Sequence, residues 1–335
     1  MKKESEDKLL KALEGIQKTY GKGAVMFGNT APRIKKQSTG ILSLDMALGG
    51  GFGIGKVVEV FGPESSGKTT ISIHAMAQAQ RDFPDKRVAI IDAEQALDPD
   101  YCERLGVDTS KLLICQPEYG EQGLQIAIDL AETGVVSFIL VDSTAALVPK
   151  SVIDGDMEDN SMAVQSRMIG KFFQKILDAA NKNETTIYIV SQIRSAIGGY
   201  GPTDKTTGGN APKFYASQRV EVRSSLGDKE KDGKEQINRK ITAKVIKNKI
   251  APPFKTTEFY VNFGTGVDKE RDLFDTCVKL GIITLEGRTY SYDGTKLGVN
   301  YDATLAIFRD NIELQEILYK KAMELSKPII QEEAF

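Results

Sequence analysis

The octapeptide Gly62-Pro63-Glu64-Ser65-Ser66-Gly67-Lys68-Thr69 constrains this chain more than any other stretch. It satisfies G-x-x-x-x-G-K-[ST] at every position. It also lies between a strand-like run, Val57–Phe61, and a run of helical periodicity, Thr69–Gln80. A loop of this kind turns backbone N–H groups toward one point, and the helix behind it adds its positive end, so the segment is suited to phosphate oxygens. Lys68 is placed to reach the β- and γ-phosphates of a nucleotide, and the Thr69 hydroxyl to ligate Mg²⁺.

Around the loop the chain alternates between two periodicities. Val57–Phe61, Arg87–Asp92, Ser137–Asp142 and Thr185–Ser191 read as strands rich in β-branched and aromatic residues. Thr69–Gln80, Gln122–Glu132 and Met162–Asn181 read as the helices between them. This predicts an α/β core with a mainly parallel sheet flanked by helices. Arg219–Val222 and Ile237–Ile246 read as a hairpin extending that sheet. Residues 1–32 predict an amphipathic helix, with Leu9, Leu10, Leu13 and Ile16 on one face, and a short strand at Ala24–Phe27. Residues 33–266 form the expected core, 267–328 a small C-terminal α+β domain, and 329–335 a flexible tail.

Composition narrows the function classes. Among 335 residues, 44 are basic and 46 acidic, so any nucleic-acid contact must come from local patches and not from bulk charge. The three cysteines, Cys102, Cys115 and Cys277, have no metal-ligand spacing and suit a reducing cytoplasm. One histidine, His74, leaves no material for a histidine dyad and reads as structural. No run approaches the roughly 20 apolar residues of a membrane helix.

A phosphate loop needs carboxylates nearby. Asp142 ends the apolar run Phe138-Ile139-Leu140-Val141 and is placed to hold Mg²⁺ through water. Glu94 follows the strand ending at Asp92, and parallel strands deliver their C-terminal ends to one edge, so Glu94 is the expected general base. Gln192 ends a third strand, where a neutral amide can sense the γ-phosphate. Directly after it, Ser195–Asn210 holds five glycines in sixteen residues, and reads as a ligand-ordered loop or as plain disorder. The acidic run Ser151–Ser161 departs from a calcium loop at its sixth and twelfth positions, Asp159 and Gln165. Lys234–Lys255 carries seven basic residues against Glu235, read either as a solvated face or as cations offered to a phosphate on another subunit.

Together these segments resemble the bacterial RecA family of recombination ATPases over roughly residues 7–326. Ser38-Thr39-Gly40, Gly62–Thr70, Asp92-Ala93-Glu94, Ala96-Leu97-Asp98, Gln192-Ile193-Arg194, Thr206–Asn210, Lys213–Ser217 and Lys247–Ile250 carry the resemblance. It implies an ATP- and Mg²⁺-dependent enzyme that forms helical filaments of its own copies on single-stranded DNA, engages double-stranded DNA, and promotes pairing and strand exchange. It further implies a part in the SOS response as co-protease toward a LexA-type repressor. Gly62 through Thr70 would bind nucleotide, with Asp98 and Tyr101 on the adenine. Lys247 and Lys249 would reach the ATP of the adjacent subunit, and Phe214 would couple ATP to DNA across the interface. Ser195, Gly208, Gly209 and Asn210 would contact the DNA backbone. A helicase-like or RadA-like DNA motor of the same fold is the alternative, and three scattered cysteines do not make the four-cysteine module of RadA-like proteins. Gln95, Gly170, Gln174, Pro212 and Phe263 depart from the family pattern, and so does the acidic Glu158.

Overall fold

The computed structural model describes residues 2–21, 23–30, 33–155, 162–195, 204–206, 209–229 and 236–326. Contacts divide the chain into two units, residues 1–35 and 36–335. The first contains helix α1 (Lys2–Tyr20), with Leu9, Leu10 and Ile16 exposed. The strand expected at Ala24–Phe27 has no ladder partner among the described residues; Ala24 N donates to Gly21 O at 3.0 Å and the Gln17 amide to Val25 O at 3.0 Å. A strand's N–H and C=O groups need a second backbone, which this segment does not find within its own unit.

The second unit opens with β1 (Lys36–Gln37), α2 (Leu42–Leu48) and β2 (Phe52–Gly53). The core then alternates: β3 (Val57–Gly62), α3 (Lys68–Asp82), β4 (Arg87–Asp92), α4 (Pro99–Arg104), β5 (Leu112–Cys115), α5 (Gly120–Glu132), β6 (Val136–Asp142), α6 (Lys150–Ile153), α7 (Met162–Asn183) and β7 (Thr186–Ser195). After β8 (Asp204–Thr206) and α8 (Ala211–Tyr215) come β9 (Gln218–Leu226), β10 (Asn238–Asn248), β11 (Thr256–Asn262) and β12 (Gly266–Val267). The chain closes with α9 (Lys269–Lys279), β13 (Thr284–Glu286), β14 (Thr289–Tyr292), β15 (Thr295–Val299), α10 (Tyr301–Asp310) and α11 (Ile312–Ser326).

The main sheet has the order β12-β11-β10-β9-β3-β7-β6-β4-β5, with β8 paired to the far end of β7. From β9 to β5 the strands run parallel; β10, β11 and β12 are antiparallel to their neighbours. Every residue of β3 and β6 is buried, as a parallel sheet covered on both faces requires. Alternate residues serve opposite faces. Val58, Val60, Phe138, Leu140 and Tyr188 join Ile71 and Met76 of α3 in one core. Val57, Ile139, Val141, Ile187 and Ile189 join Leu124 and Ile128 of α5 and Phe173 and Ile176 of α7 in the other. Helix α5 is held there by Leu124, Ala127, Ile128 and Ala131, spaced for one face. Each such fully buried large side chain stabilises the fold by about 1.5–3 kcal/mol.

Residues 267–326 have a third core, built on Phe274, Cys277, Ile283, Tyr290, Leu305, Phe308 and Leu318. It includes Leu42 of α2, and the Ser43 N–H donates to Asp272 Oδ2 at 3.1 Å, which ties α9 to α2. The strand-like insert at 287–294 is part of a three-stranded antiparallel sheet, β13-β14-β15, followed by α10, an additional helix. No helix among the described residues is long and apolar enough to cross a membrane.

Candidate active site

The parallel strands bring four chain segments to one edge. Gly62 at the end of β3 pairs with Gln192 on β7, and Asp92 at the end of β4 pairs with Asp142 at the end of β6. The phosphate loop leaves β3 here, and its shape demands its glycines. A Cβ on Gly62 would come within 2.0 Å of Val222 O, and Gly67 has φ +90. Helix α3 starts at Lys68, with its N-terminus under the loop.

Lys68 is buried, and its ammonium donates to Gly62 O at 3.2 Å and Pro63 O at 2.6 Å. Burial holds its pKa below the usual lysine value, against the pull of Asp142, Glu94 and Glu64. The Thr69 hydroxyl donates to Asp142 Oδ2 at 2.7 Å. Burial pushes the Asp142 carboxyl up to about 6; the Thr69 hydrogen bond and Lys68 act the other way, while Glu94 and Asp92 add to the rise. Glu94 Oε1 accepts from the Ser143 hydroxyl at 2.5 Å and from the Gln192 amide at 3.1 Å. Lys68, Thr69, Asp142, Glu94 and Gln192, predicted from four separate stretches, therefore converge.

Two further residues shape this edge. Ser143, next to Asp142, is fully buried and holds Glu94. Asp92 accepts from Ala96 N at 3.2 Å, Leu97 N at 3.4 Å and the Gln116 amide at 3.1 Å, and so folds the turn that carries Glu94. Gln95 within that turn has φ +53. The polarity of Ser143 beside a buried strand end was the available sequence signal for its role.

From the loop a cleft of about 500 Å³ extends past Thr70, Tyr101, Arg239, Ile241, Val261, Asn262, Phe263 and Gly264. Tyr101 OH lies 3.2 Å from the Thr70 hydroxyl. Asp98 caps α4 by accepting from Asp100 N at 3.0 Å, and it pairs with Arg104 at 3.5 Å. Arg104 lies over the Tyr101 ring at 5.6 Å and donates to Gly264 O at 3.2 Å, which joins the two walls of the cleft. Glu64 and Ser65 lie exposed on the loop, and Ser66 beneath it is buried.

The basic stretch 234–255 is split by the strand it forms. Arg239 lies at the phosphate-loop edge, donating to Ser65 O at 2.9 Å. Lys240 pairs with Glu258 at 2.7 Å. Because β10 is antiparallel to β9, Lys247 and Lys249 lie at the opposite edge, eight and more residues along the strand and so roughly 25 Å from Arg239. There Lys247 donates to Lys213 O at 2.7 Å and Phe214 O at 3.0 Å, and Phe214 is exposed on α8. These three are not brought to this chain's own phosphate loop.

A family model described as the RecA N-terminal domain matches residues 7–268. The chain belongs to the RecA family. Protein RecA of a Nocardioides species is 44% identical over 317 residues, covering 93% of this chain and 89% of that protein. Protein RecA of Cytophaga hutchinsonii is 43% identical over 332 residues, covering 96% and 93%, and that of Porphyromonas gingivalis 44% identical over 327 residues, covering 95% of each. As a RecA-family protein the chain is a DNA-dependent ATPase and a recombinase of DNA repair, one that binds nucleotide and DNA and assembles with its own copies.

The DNA-facing residues expected of a RecA-family chain are only partly within the described structure. Gly208, residues 196–203 and residues 156–161 lie outside it. Ser195 ends β7, the strand that carries Gln192, and its backbone pairs with Asp204 of β8. Asn210 precedes α8, next to Gly209. Of the departures from the family pattern, Gln174 donates to Tyr215 OH at 3.3 Å, Pro212 is buried in the first turn of α8, and Phe263 lines the cleft.

Proposed function

We propose that this chain hydrolyses ATP at the edge formed by β3, β4, β6 and β7, and that DNA controls hydrolysis through β7. Lys68 and the loop Gly62–Thr70 hold the phosphates, and the cleft by Tyr101 and Phe263 takes the base. A buried carboxyl and a hydroxyl 2.7 Å apart are hard oxygen donors, so Asp142 and Thr69 fit a Mg²⁺ ion completed by phosphate oxygens. Mg²⁺ there supplies neutralisation of phosphate charge. Glu94 takes the proton of the attacking water, and Gln192 sets where Glu94 points. Lys247 and Lys249 of an adjacent copy serve the triphosphate. Ser195, Gly208, Gly209 and Asn210 grip the DNA backbone, which suits sequence-independent binding because base pairing reads the sequence. The RecA-type filament is also the surface on which a LexA-type repressor would cleave itself, in the cytoplasm.

One observation carries this reading: the Gln192 amide donates to Glu94 from the strand that continues into the glycine-rich segment. DNA bound beyond Ser195 is thereby felt at Glu94. The test is ATP turnover with and without single-stranded DNA. Stimulation is expected in the parent chain, and loss of stimulation in Gln192→Ala. A parent rate indifferent to DNA, or a Gln192→Ala variant still fully stimulated, would refute it.

A further inference from the structure

Both edges of the sheet share one lateral order, set by the strands. At the phosphate-loop edge, β10, β11 and β12 carry the base end of the cleft, with Ile241, Val261 and Phe263, and β7 carries Gln192. At the opposite edge, the end of β10 carries Lys247, and the β10–β11 connection carries Lys249 and Phe254. Phe214 lies to the other side of Lys247, on α8, which packs on α7 through the Tyr215–Phe173 ring stack at 5.8 Å.

Phe254 is a conspicuous residue there. It is 71% exposed, and its φ is +67. That backbone region is costly for a residue with a bulky side chain and persists only where the surroundings impose it. The surroundings do so: Phe254 N donates to Val245 O at 2.8 Å, Val245 N to Lys255 O at 2.9 Å, and the Asn248 amide to Leu48 O at 3.0 Å. The connection thus fixes the backbone that presents this exposed aromatic ring to water.

We propose that Phe254 of one copy packs against the base end of the nucleotide cleft of the next copy, on Tyr101 and Phe263. The inference rests on the reading above, in which Lys247 and Lys249 reach the neighbour's triphosphate. The ring cannot reach its own cleft, which is at the other edge of the sheet. If copies stack head to tail with their sheets roughly in line, the β10–β11 connection of one lies over the β11–β12 turn of the next. The lysines then face the phosphates, Phe254 faces the aromatic base end, and Phe214 faces the Gln192 side. Phe263 is itself 51% exposed, so it offers apolar surface for the contact.

The test is a disulfide ladder. Phe254→Cys and Phe263→Cys are combined in a Cys115→Ser background and oxidised on single-stranded DNA with a non-hydrolysable ATP analogue. Dimers, trimers and longer products are expected, and a mixture of the two single variants should stop at dimers. Filaments visible by microscopy without a ladder would overturn this inference alone. A parent chain that forms no filaments and shows no DNA-stimulated hydrolysis would overturn the reading beneath it. In parallel, Phe254→Ala should raise the KM for ATP in the DNA-dependent reaction roughly two- to tenfold, the scale of one aromatic contact. Phe254→Trp, the only tryptophan in the chain, should restore KM and shift its emission to the blue on assembly. An unchanged KM, or an unshifted emission in filaments, counts against the contact.

Discussion

Ser143→Ala isolates how the Glu94 carboxylate, the proposed general base, is held. Ser143 is fully buried, and its hydroxyl donates to Glu94 Oε1 at 2.5 Å, while Gln192 donates to the same oxygen at 3.1 Å. Alanine removes one oxygen and leaves the packing nearly unchanged, so the cavity cost is small. A hydrogen bond to a charged acceptor contributes about 1.5–3 kcal/mol. If that energy orients Glu94 in the transition state, kcat falls roughly 10- to 150-fold. Lys68 and Thr69 are untouched, so nucleotide affinity should stay within about twofold of the parent. Single-turnover hydrolysis on single-stranded DNA, with a fluorescent nucleotide titration beside it, separates the two quantities. The decisive control is Glu94→Ala: with the carboxylate gone, adding Ser143→Ala should cost almost nothing further, because residues acting as a unit are not additive. An equal loss in both backgrounds, or a rise in KM with kcat unchanged, would show that Ser143 does not work through Glu94.

Burial pushes the Asp45 carboxyl up to about 7 and that of Asp272 to about 6. An unfolded Asp titrates near 3.9, so the folded chain holds extra protons between about pH 4 and 7, and its stability declines as pH rises through that window. Asp45→Asn should flatten that decline and be the more stable variant at pH 8, measured by urea unfolding at several pH values. Gly170 lies inside α7 with the Ala211 methyl 4.0 Å from where its own Cβ would be; Gly170→Ala should therefore add about 0.5–1 kcal/mol of stability, read as a higher urea midpoint. Arg104→Ala unties the cleft walls at Tyr101 and Gly264; because Arg104 is half exposed, the loss should be near 0.5–1 kcal/mol, a roughly two- to fivefold rise in KM for ATP with kcat unchanged.

Much of the catalytic edge was legible because its residues follow buried strands. Apolar runs ending in Asp92 and Asp142 locate strand ends, and parallel strands must place those ends together, so the meeting of Glu94, Asp142 and the phosphate loop at one edge could be read from sequence. The residues that hold them were less visible. The Ser143 contact to Glu94 and the Arg104 contact to Gly264 join residues far apart in sequence, which no local period reveals. Asp98 also caps α4, a role that Pro99 behind it announces. Strand β5 lies at the sheet edge with Leu113 and Ile114 exposed, and so gives no alternation to read. The basic run at 234–255 looks like one patch in sequence; only the antiparallel pairing of β10 separates Arg239 from Lys247 and Lys249.

That separation makes a row of copies directional. On the reading proposed above, in which Lys247 and Lys249 serve the next copy's triphosphate, each junction supplies one set of lysines to one phosphate loop, so a row holds one fewer finished site than it has members. At one extremity a cleft lacks its donors, and at the other the donors meet no triphosphate. The two termini are chemically unlike, and growth and shedding should proceed at different rates from each.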